Sequence, residues 1–244
     1  MTQRITRTDE GGVCSLTLNR PEKLNALDTL AFEELTAHLT AIAADQASIG
    51  CVVLRGSGRG FCAGADIDAM GKVPVDPRFK PRVVAQLGEL PQPVIAAVHG
   101  VCFTGGLELA LACNFIVADE TARFADTHGK WGMVATWGMT QRLPRKVGTS
   151  AAMRMMMTSR EVKAAEAEKL GLIDILAPTG ELDKAVSELT RAILANSWHT
   201  NFAAKRLINE TQGMPLAQAI AHDMLRNPGF GPDYEGRVAK FKKS

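Results

Sequence analysis

The spacing of apolar residues changes repeatedly along the first half of the chain. Val13 to Asn19 (VCSLTLN) alternates apolar and polar positions and is rich in β-formers, which predicts a half-buried strand stopped by Arg20-Pro21. Leu30, Leu35, Leu39 and Ile42 then recur at roughly helical spacing, with Asp28 placed to cap that helix. Three short continuous runs, Cys51 to Gly56 (CVVLRG), Pro93 to Gly100 (PVIAAVHG) and Phe115 to Asp119 (FIVAD), read as strands covered on both faces. An apolar helix through Gly105 to Asn114 (GGLELALACN) separates the last two. Strands alternating with helices predict βαβ units and a largely parallel sheet, an α/β fold.

Gly71 to Arg82 (GKVPVDPRFKPR) interrupts this pattern with prolines and basic residues and predicts a mobile surface loop. From Ser150 onward the period is helical, through Ser150 to Ser159, Glu161 to Gly171, Glu181 to Ser197, Asn201 to Gln212 and Pro215 to Asn227. This helical C-terminal third reads as an appendage that packs on its own core or on a neighbouring subunit.

With 244 residues, 46% hydrophobic and 22% charged, the chain has the composition of a globular protein with a sizeable core. A net charge of +2, spread over 28 scattered basic residues, argues against nucleic acid as a partner. The five cysteines (Cys14, Cys51, Cys62, Cys102 and Cys113) have no C-x-x-C spacing and lie mostly in apolar runs, so reduced, buried thiols and a cytoplasmic location are expected. The segment MTQRITRTDEGG has no apolar run behind its charges, and no stretch approaches the length of a membrane span, so neither export nor membrane insertion is expected.

Most candidate chemistry is weak. Gly58-Arg59-Gly60-Phe61-Cys62-Ala63 fits G-x-G-x-x-A, but Phe61 and Cys62 stand where a dinucleotide-binding helix would open. There is no G-x-S-x-G, and the five histidines (His38, His99, His128, His199 and His222) show no metal-ligand spacing, so no metal is expected.

Glu108 stands apart, because a carboxylate inside an apolar helix is costly unless it has a partner, a proton or a task. A helix starting at Gly105-Gly106 leaves backbone N–H groups unpaired at its N-terminus, and Glu108 leans back toward them. The plain alternative is a Glu that caps its own helix. Phe61 to Ile67 (FCAGADI) repeats the construction, with a small-residue turn through Ala63-Gly64-Ala65 and Asp66 at a helix start. Two such turns, each offering one N–H, are able to grip a carbonyl oxygen from both sides.

The segments LNRPEKLNALD, VVLRGSGRGFCAGADI, PQPVIAAVHGVCFTGGLELALACNFIVAD, GMTQRLPRKVG, EAEKLGLIDIL and DYEGRVAKF together resemble the crotonase superfamily, the enoyl-CoA hydratase/isomerase family, over nearly the whole chain. The resemblance implies a spiral of repeated ββα units over residues 1–190. It also implies a helical region over residues 191–244 that assembles homotrimers or hexamers, and an acyl-CoA thioester as substrate with no cofactor beyond that coenzyme A.

It further implies Ala65 and Gly105 as the oxyanion donors, and coenzyme A beside Lys23, Leu24, Ala26, Ala63, Asp66, Ile67 and Asp68. Glu108 matches one of the family's two catalytic glutamates, and His128 falls where the second would stand. A histidine also moves protons near neutral pH. Asp126 is a polar neighbour with a turn or cap role as its alternative. The missing second Glu argues against the isomerase branch.

Thr104 replaces the first of three usual glycines, and Asn114 a usual Asp, both expected to affect packing. Trp131, Met133, Trp137 and Met139 offer an acyl-pocket wall or ordinary core, and the Gly71 to Arg82 loop a cover for the pocket. The leading expectation is hydration of a 2-enoyl-CoA. Thioester hydrolysis, decarboxylation and non-catalytic acyl-CoA binding remain open beside it.

Overall fold

The computed structural model describes residues 3–69 and 76–243. The chain runs through β1 (Ile5–Glu10), β2 (Val13–Leu18), α1 (Thr29–Ala44), β3 (Cys51–Gly56), α2 (Phe79–Glu89), β4 (Val94–Val98), β5 (Val101–Phe103) and α3 (Gly105–Ala112). It continues through β6 (Phe115–Asp119), β7 (Arg123–Ala125), α4 (Met139–Val147), α5 (Thr149–Thr158), β8 (Val162–Lys163), α6 (Ala164–Lys169) and β9 (Ile175–Ala177). Four helices close it: α7 (Leu182–Ala195), α8 (Trp198–Thr211), α9 (Leu216–Arg226) and α10 (Tyr234–Phe241).

A six-stranded sheet in the order β1-β2-β3-β4-β6-β9 is parallel except for the β1–β2 hairpin. Its central strands are apolar along most of their length because both faces are covered, with Arg55 and Asp119 near strand ends. Val52, Leu54, Val94, Ala96 and Val98 enter the main core, which also holds side chains of α1, α2 and α3, while Cys51, Val53, Ile95, Ala97 and Val117 turn to the opposite face under α7. Strand alternation thus splits one hydrophobic run between two cores. α1 begins as expected, the Asp28 side chain accepting from the Ala31 N–H at 2.9 Å. Leu30 is only half-buried, and Ala31 and Phe32 take its place in the core beside Leu35, Leu39 and Ile42.

A second sheet, β5-β7-β8, stands apart from the first. It brings the two candidate turns together. Cys62 forms a parallel bridge with Cys102, its N–H donating to the Val101 carbonyl at 3.0 Å and its carbonyl accepting from Phe103 at 2.9 Å. Residues 62–65 and 102–105 therefore run side by side. The close approach requires small residues: a Cβ on Gly106 would lie 2.4 Å from the Cys62 carbonyl oxygen, and Gly64, at φ +108°, has the Thr104 hydroxyl where its Cβ would be.

Several expectations are corrected. Of Gly71 to Arg82, residues 71–75 lie outside the described residues, and Phe79 to Arg82 form the first turn of α2 rather than loop. The helical C-terminal third contains two strands: Val162–Lys163 precedes α6, and β9 adds an edge to the main sheet. β1 carried no apolar signal because it is an edge strand in which only Ile5 is buried. All five cysteines are free thiols, four of them buried. Among the described residues no helix is long and apolar enough to cross a membrane.

Candidate active site

A cavity of about 800 Å³ lies where the two turns meet, with Ala63, Ala65, Ile67, Thr104, Gly105, Glu108 and His128 on its wall. Ala65 pairs with Leu27 in a parallel bridge whose hydrogen bonds use the groups on either side of it, the Gly64 carbonyl (2.8 Å) and the Asp66 N–H (2.9 Å). The Ala65 N–H is left over. At the second turn the Thr104 N–H donates to Ala125 and the Thr104 carbonyl accepts from Glu108, so Gly105 opens α3 with its own N–H unused. Among the described residues, neither the Ala65 nor the Gly105 N–H has a protein partner.

Thr104 does more than pack. It holds φ 45° and ψ −114°, a conformation that strains a β-branched residue, and its hydroxyl donates to the Ala63 carbonyl at 3.2 Å. That bond ties one turn to the other. Asn114 has a local structural task, accepting the Val94 N–H at 2.8 Å.

Glu108 is 1% exposed and does not cap its own helix. Its Oε1 accepts the backbone N–H groups of Trp137 at 2.7 Å and Met139 at 3.1 Å. Oε2 faces His128, whose Nε2 is 3.8 Å away, too far for a direct hydrogen bond. On the other side of the imidazole, Asp126 Oδ1 accepts from Nδ1 at 2.5 Å and from the His128 backbone N–H at 3.1 Å. Asp126 is therefore both a turn residue and a clamp that fixes the histidine ring.

Burial raises the Glu108 pKa, with the two N–H groups and His128 opposing it. Burial disfavours the charged form of His128, but the Asp126 hydrogen bond and the nearby carboxylates outweigh it and raise the histidine pKa. The pair is thus a carboxyl group and an imidazole both biased toward holding a proton.

The other expected residues divide. Lys23, Leu24 and Ala26 lie on the turn beside Ala63: the Ala63 N–H donates to Leu24 at 2.9 Å, and Lys23 pairs with Asp68 at 2.9 Å. Asp66 is taken up structurally, buried against Arg20 at 2.9 Å, so its carboxylate is not free for a ligand. Ile67 is exposed on the cavity rim. Trp131, Met133 and Trp137 wall the cavity, whereas Met139 is core.

Residue-type patterns gave no sign of the Trp137 and Met139 backbone donors or of Arg142, whose guanidinium donates to the Trp137 carbonyl at 2.8 Å and holds that segment in place. Another cavity, of about 830 Å³, is lined by Trp198, Phe202 and Lys205, but most of its charges are already used: Lys205 donates to the Gln92 carbonyl, and Glu210 and Asp233 pair with His222 and Arg237. Among the described residues no three His, Cys, Asp or Glu side chains converge as a metal-ligand set.

Two adjoining N–H donors beside a buried carboxylate and a histidine define a site for acid–base chemistry next to a polarised carbonyl. Residues 8–227 match the profile of the family described as Enoyl-CoA hydratase/isomerase, and the chain belongs to that family. It is 34% identical over 224 residues to the Arabidopsis thaliana protein named "Probable enoyl-CoA hydratase 1, peroxisomal", covering 90% of this chain and 83% of that protein. It is 32% identical over 243 residues to the 1,2-epoxyphenylacetyl-CoA isomerase of Escherichia coli, covering 95% and 92%. The crystal structure of enoyl-CoA hydratase from Bacillus anthracis superposes with a TM-score of 0.93 at 30% identity, covering 99% of this chain and 96% of that one, so the fold is the crotonase spiral.

Proposed function

We propose that this protein is an enoyl-CoA hydratase-like lyase that adds water across the double bond of a 2-enoyl-CoA. The observation that carries the reading is the meeting of the free Ala65 and Gly105 N–H groups with Glu108 and His128 in one cavity. The thioester oxygen accepts from both N–H groups, and coenzyme A extends past Ala63 and Ile67 toward the Lys23 to Ala26 turn. Glu108, ionised, takes a proton from a water held beside its carboxylate on the cavity side, and the resulting hydroxide bonds to the β-carbon. The electron pair of the double bond moves toward the thioester oxygen as an enolate, which the fixed N–H dipoles stabilise by about 3–4 kcal/mol per donor.

His128, as imidazolium, then delivers its proton to the α-carbon. The Glu108 proton passes to His128, which restores both groups. Asp126 keeps the ring oriented and favours its protonated form. The chemistry needs no cofactor beyond the coenzyme A of the substrate. Exposed Leu216, Met224, Leu225 and Phe241 on α9 and α10 support assembly into homotrimers, or hexamers built from them, through residues 191–244. Buried thiols fit a reducing cytoplasm.

The test is the loss of conjugated-thioester absorbance when crotonyl-CoA or a longer 2-enoyl-CoA is mixed with wild type, Glu108→Gln and His128→Ala. Turnover in the wild type, lost in both variants, is the expected result. Tight binding of CoA thioesters with no turnover in the wild type would remove hydration and leave the binding-protein reading.

A further inference from the structure

The cavity holds a cation that hydration does not use. Lys80, in the first turn of α2, lines it together with Trp137 and Thr29. Its ammonium lies 5.5 Å from the centroid of the Phe32 ring, and Phe32 meets Trp137 edge-on at 4.9 Å. The indole of Trp137 in turn covers Gly105, its Cζ3 standing 2.2 Å from where a Cβ would be. Gly105, Trp137, Phe32 and Lys80 therefore form a continuous series that starts at an oxyanion N–H and ends at an ammonium.

That ammonium has no ion-pair partner among the described residues, no carboxylate of which lies within 4.0 Å of it. Residues 70–75 (MGKVPV) contain no acidic side chain. Asp28, the acid that most influences it, is already bound to Arg4 at 2.9 Å and Arg20 at 3.5 Å. Asp76, on the same wall, pairs with Arg78 at 3.4 Å and Arg82 at 2.9 Å. Partial burial pushes the Lys80 pKa down, as expected for a cation short of a partner. A cation–π contact offsets only part of the lost hydration. An anionic oxygen brought by the substrate would complete it with a charge-assisted hydrogen bond.

We propose that Lys80 determines acyl specificity by binding a carboxylate at the far end of the acyl chain, so that the favoured substrates are 2-enoyl-CoA thioesters of dicarboxylic acids. The inference rests on the hydratase reading of the site. The other anion such a substrate carries is the phosphate of coenzyme A. Lys80 shares its cavity wall with Trp137, whose ring covers Gly105, so the acyl group attached to the carbonyl held there is the part of the substrate assigned to it.

The experiment compares kcat/KM for glutaconyl-CoA, which ends in a carboxylate, with that for crotonyl-CoA, which ends in a methyl group. Wild type should prefer the acid by about tenfold or more. Lys80→Met should bring the ratio near one, mainly through a higher KM for the acid, and Lys80→Arg should retain the preference. No preference in the wild type, or a ratio unchanged in Lys80→Met because both substrates weaken equally, overturns the proposal, the second result assigning Lys80 to coenzyme A phosphate. Calorimetric binding of glutaryl-CoA and butyryl-CoA, which cannot be hydrated, separates the two readings. Lys80-dependent tighter binding of glutaryl-CoA supports the specificity even if neither enoyl thioester turns over, and equal binding sinks it whatever the turnover.

Discussion

The two turns that meet at the cavity share a construction and diverge in what their acids do. Each passes through small residues, frees one backbone N–H and is followed within three residues by a carboxylate, Asp66 in one and Glu108 in the other. Asp66 lies against Arg20, itself only 9% exposed, and joins a network that continues through Asp28 to Arg4. Among the described residues Glu108 has no Lys or Arg in contact, only two backbone N–H groups on one oxygen and an imidazole 3.8 Å from the other. A matched guanidinium makes a carboxylate structural. An incomplete set of partners leaves it able to exchange a proton.

Exchanging each acid for its amide should separate the two roles. The largest effect is expected from Glu108→Gln, which keeps the acceptor for Trp137 and Met139 but cannot take a proton, and should lower kcat by about 10³-fold with the fold retained. Gly105→Ala comes next: its Cβ would displace the Trp137 ring and with it the N–H geometry, lowering kcat about a hundredfold in a steady-state assay. Asp66→Asn should instead destabilise the protein by about 2 kcal/mol in denaturant titration, because buried Arg20 loses its nearer anion and keeps only the 3.5 Å contact with Asp28.

The pH dependence of stability distinguishes the same pair. Burial opposes the charge on Asp66, but Arg20 outweighs it and holds the carboxyl below its usual range. Its contribution is therefore present above the unfolded value near 3.8 and is lost as pH falls through the folded one. Glu108 has the opposite sign. With its folded pKa raised above 4.5, wild type loses stability relative to Glu108→Gln as pH rises through that folded value, and the two should converge in acid.

Smaller effects test the supports of the site. Asp126→Asn removes the anion that favours protonated His128, so the alkaline limb of the kcat profile should move to lower pH. Thr104→Gly relieves a strained φ of 45° but cuts the hydroxyl bond between the turns, and a change in stability within about 1 kcal/mol with a severalfold loss of kcat is expected.

Much of this was legible in the sequence where the signal is local. The Asp28 cap, the doubly buried runs of β3, β4 and β6, and the helix start at Gly105 follow from residues within one or two turns of each other. The second sheet was not legible, because strands of two or three residues carry no period. Nor was the division of the tryptophan- and methionine-rich segment, where Trp137 walls the cavity and Met139, two residues on, enters the core.

The sequence by itself determined the α/β alternation, the two small-residue turns and the position of Glu108, because burial and capping leave marks at short sequence separation, whereas His128 stood out only through the family resemblance. Only the tertiary structure decided that Glu108 receives hydrogen bonds from positions 137 and 139 and not from its own helix, and that Asp126 orients His128 toward it. It alone brought Lys80 into the same cavity, with no carboxylate among the described residues within 4.0 Å of it. The reason is that a group's charge state and free valences depend on its neighbours in space, and in this fold those neighbours come from segments that share no periodic signal.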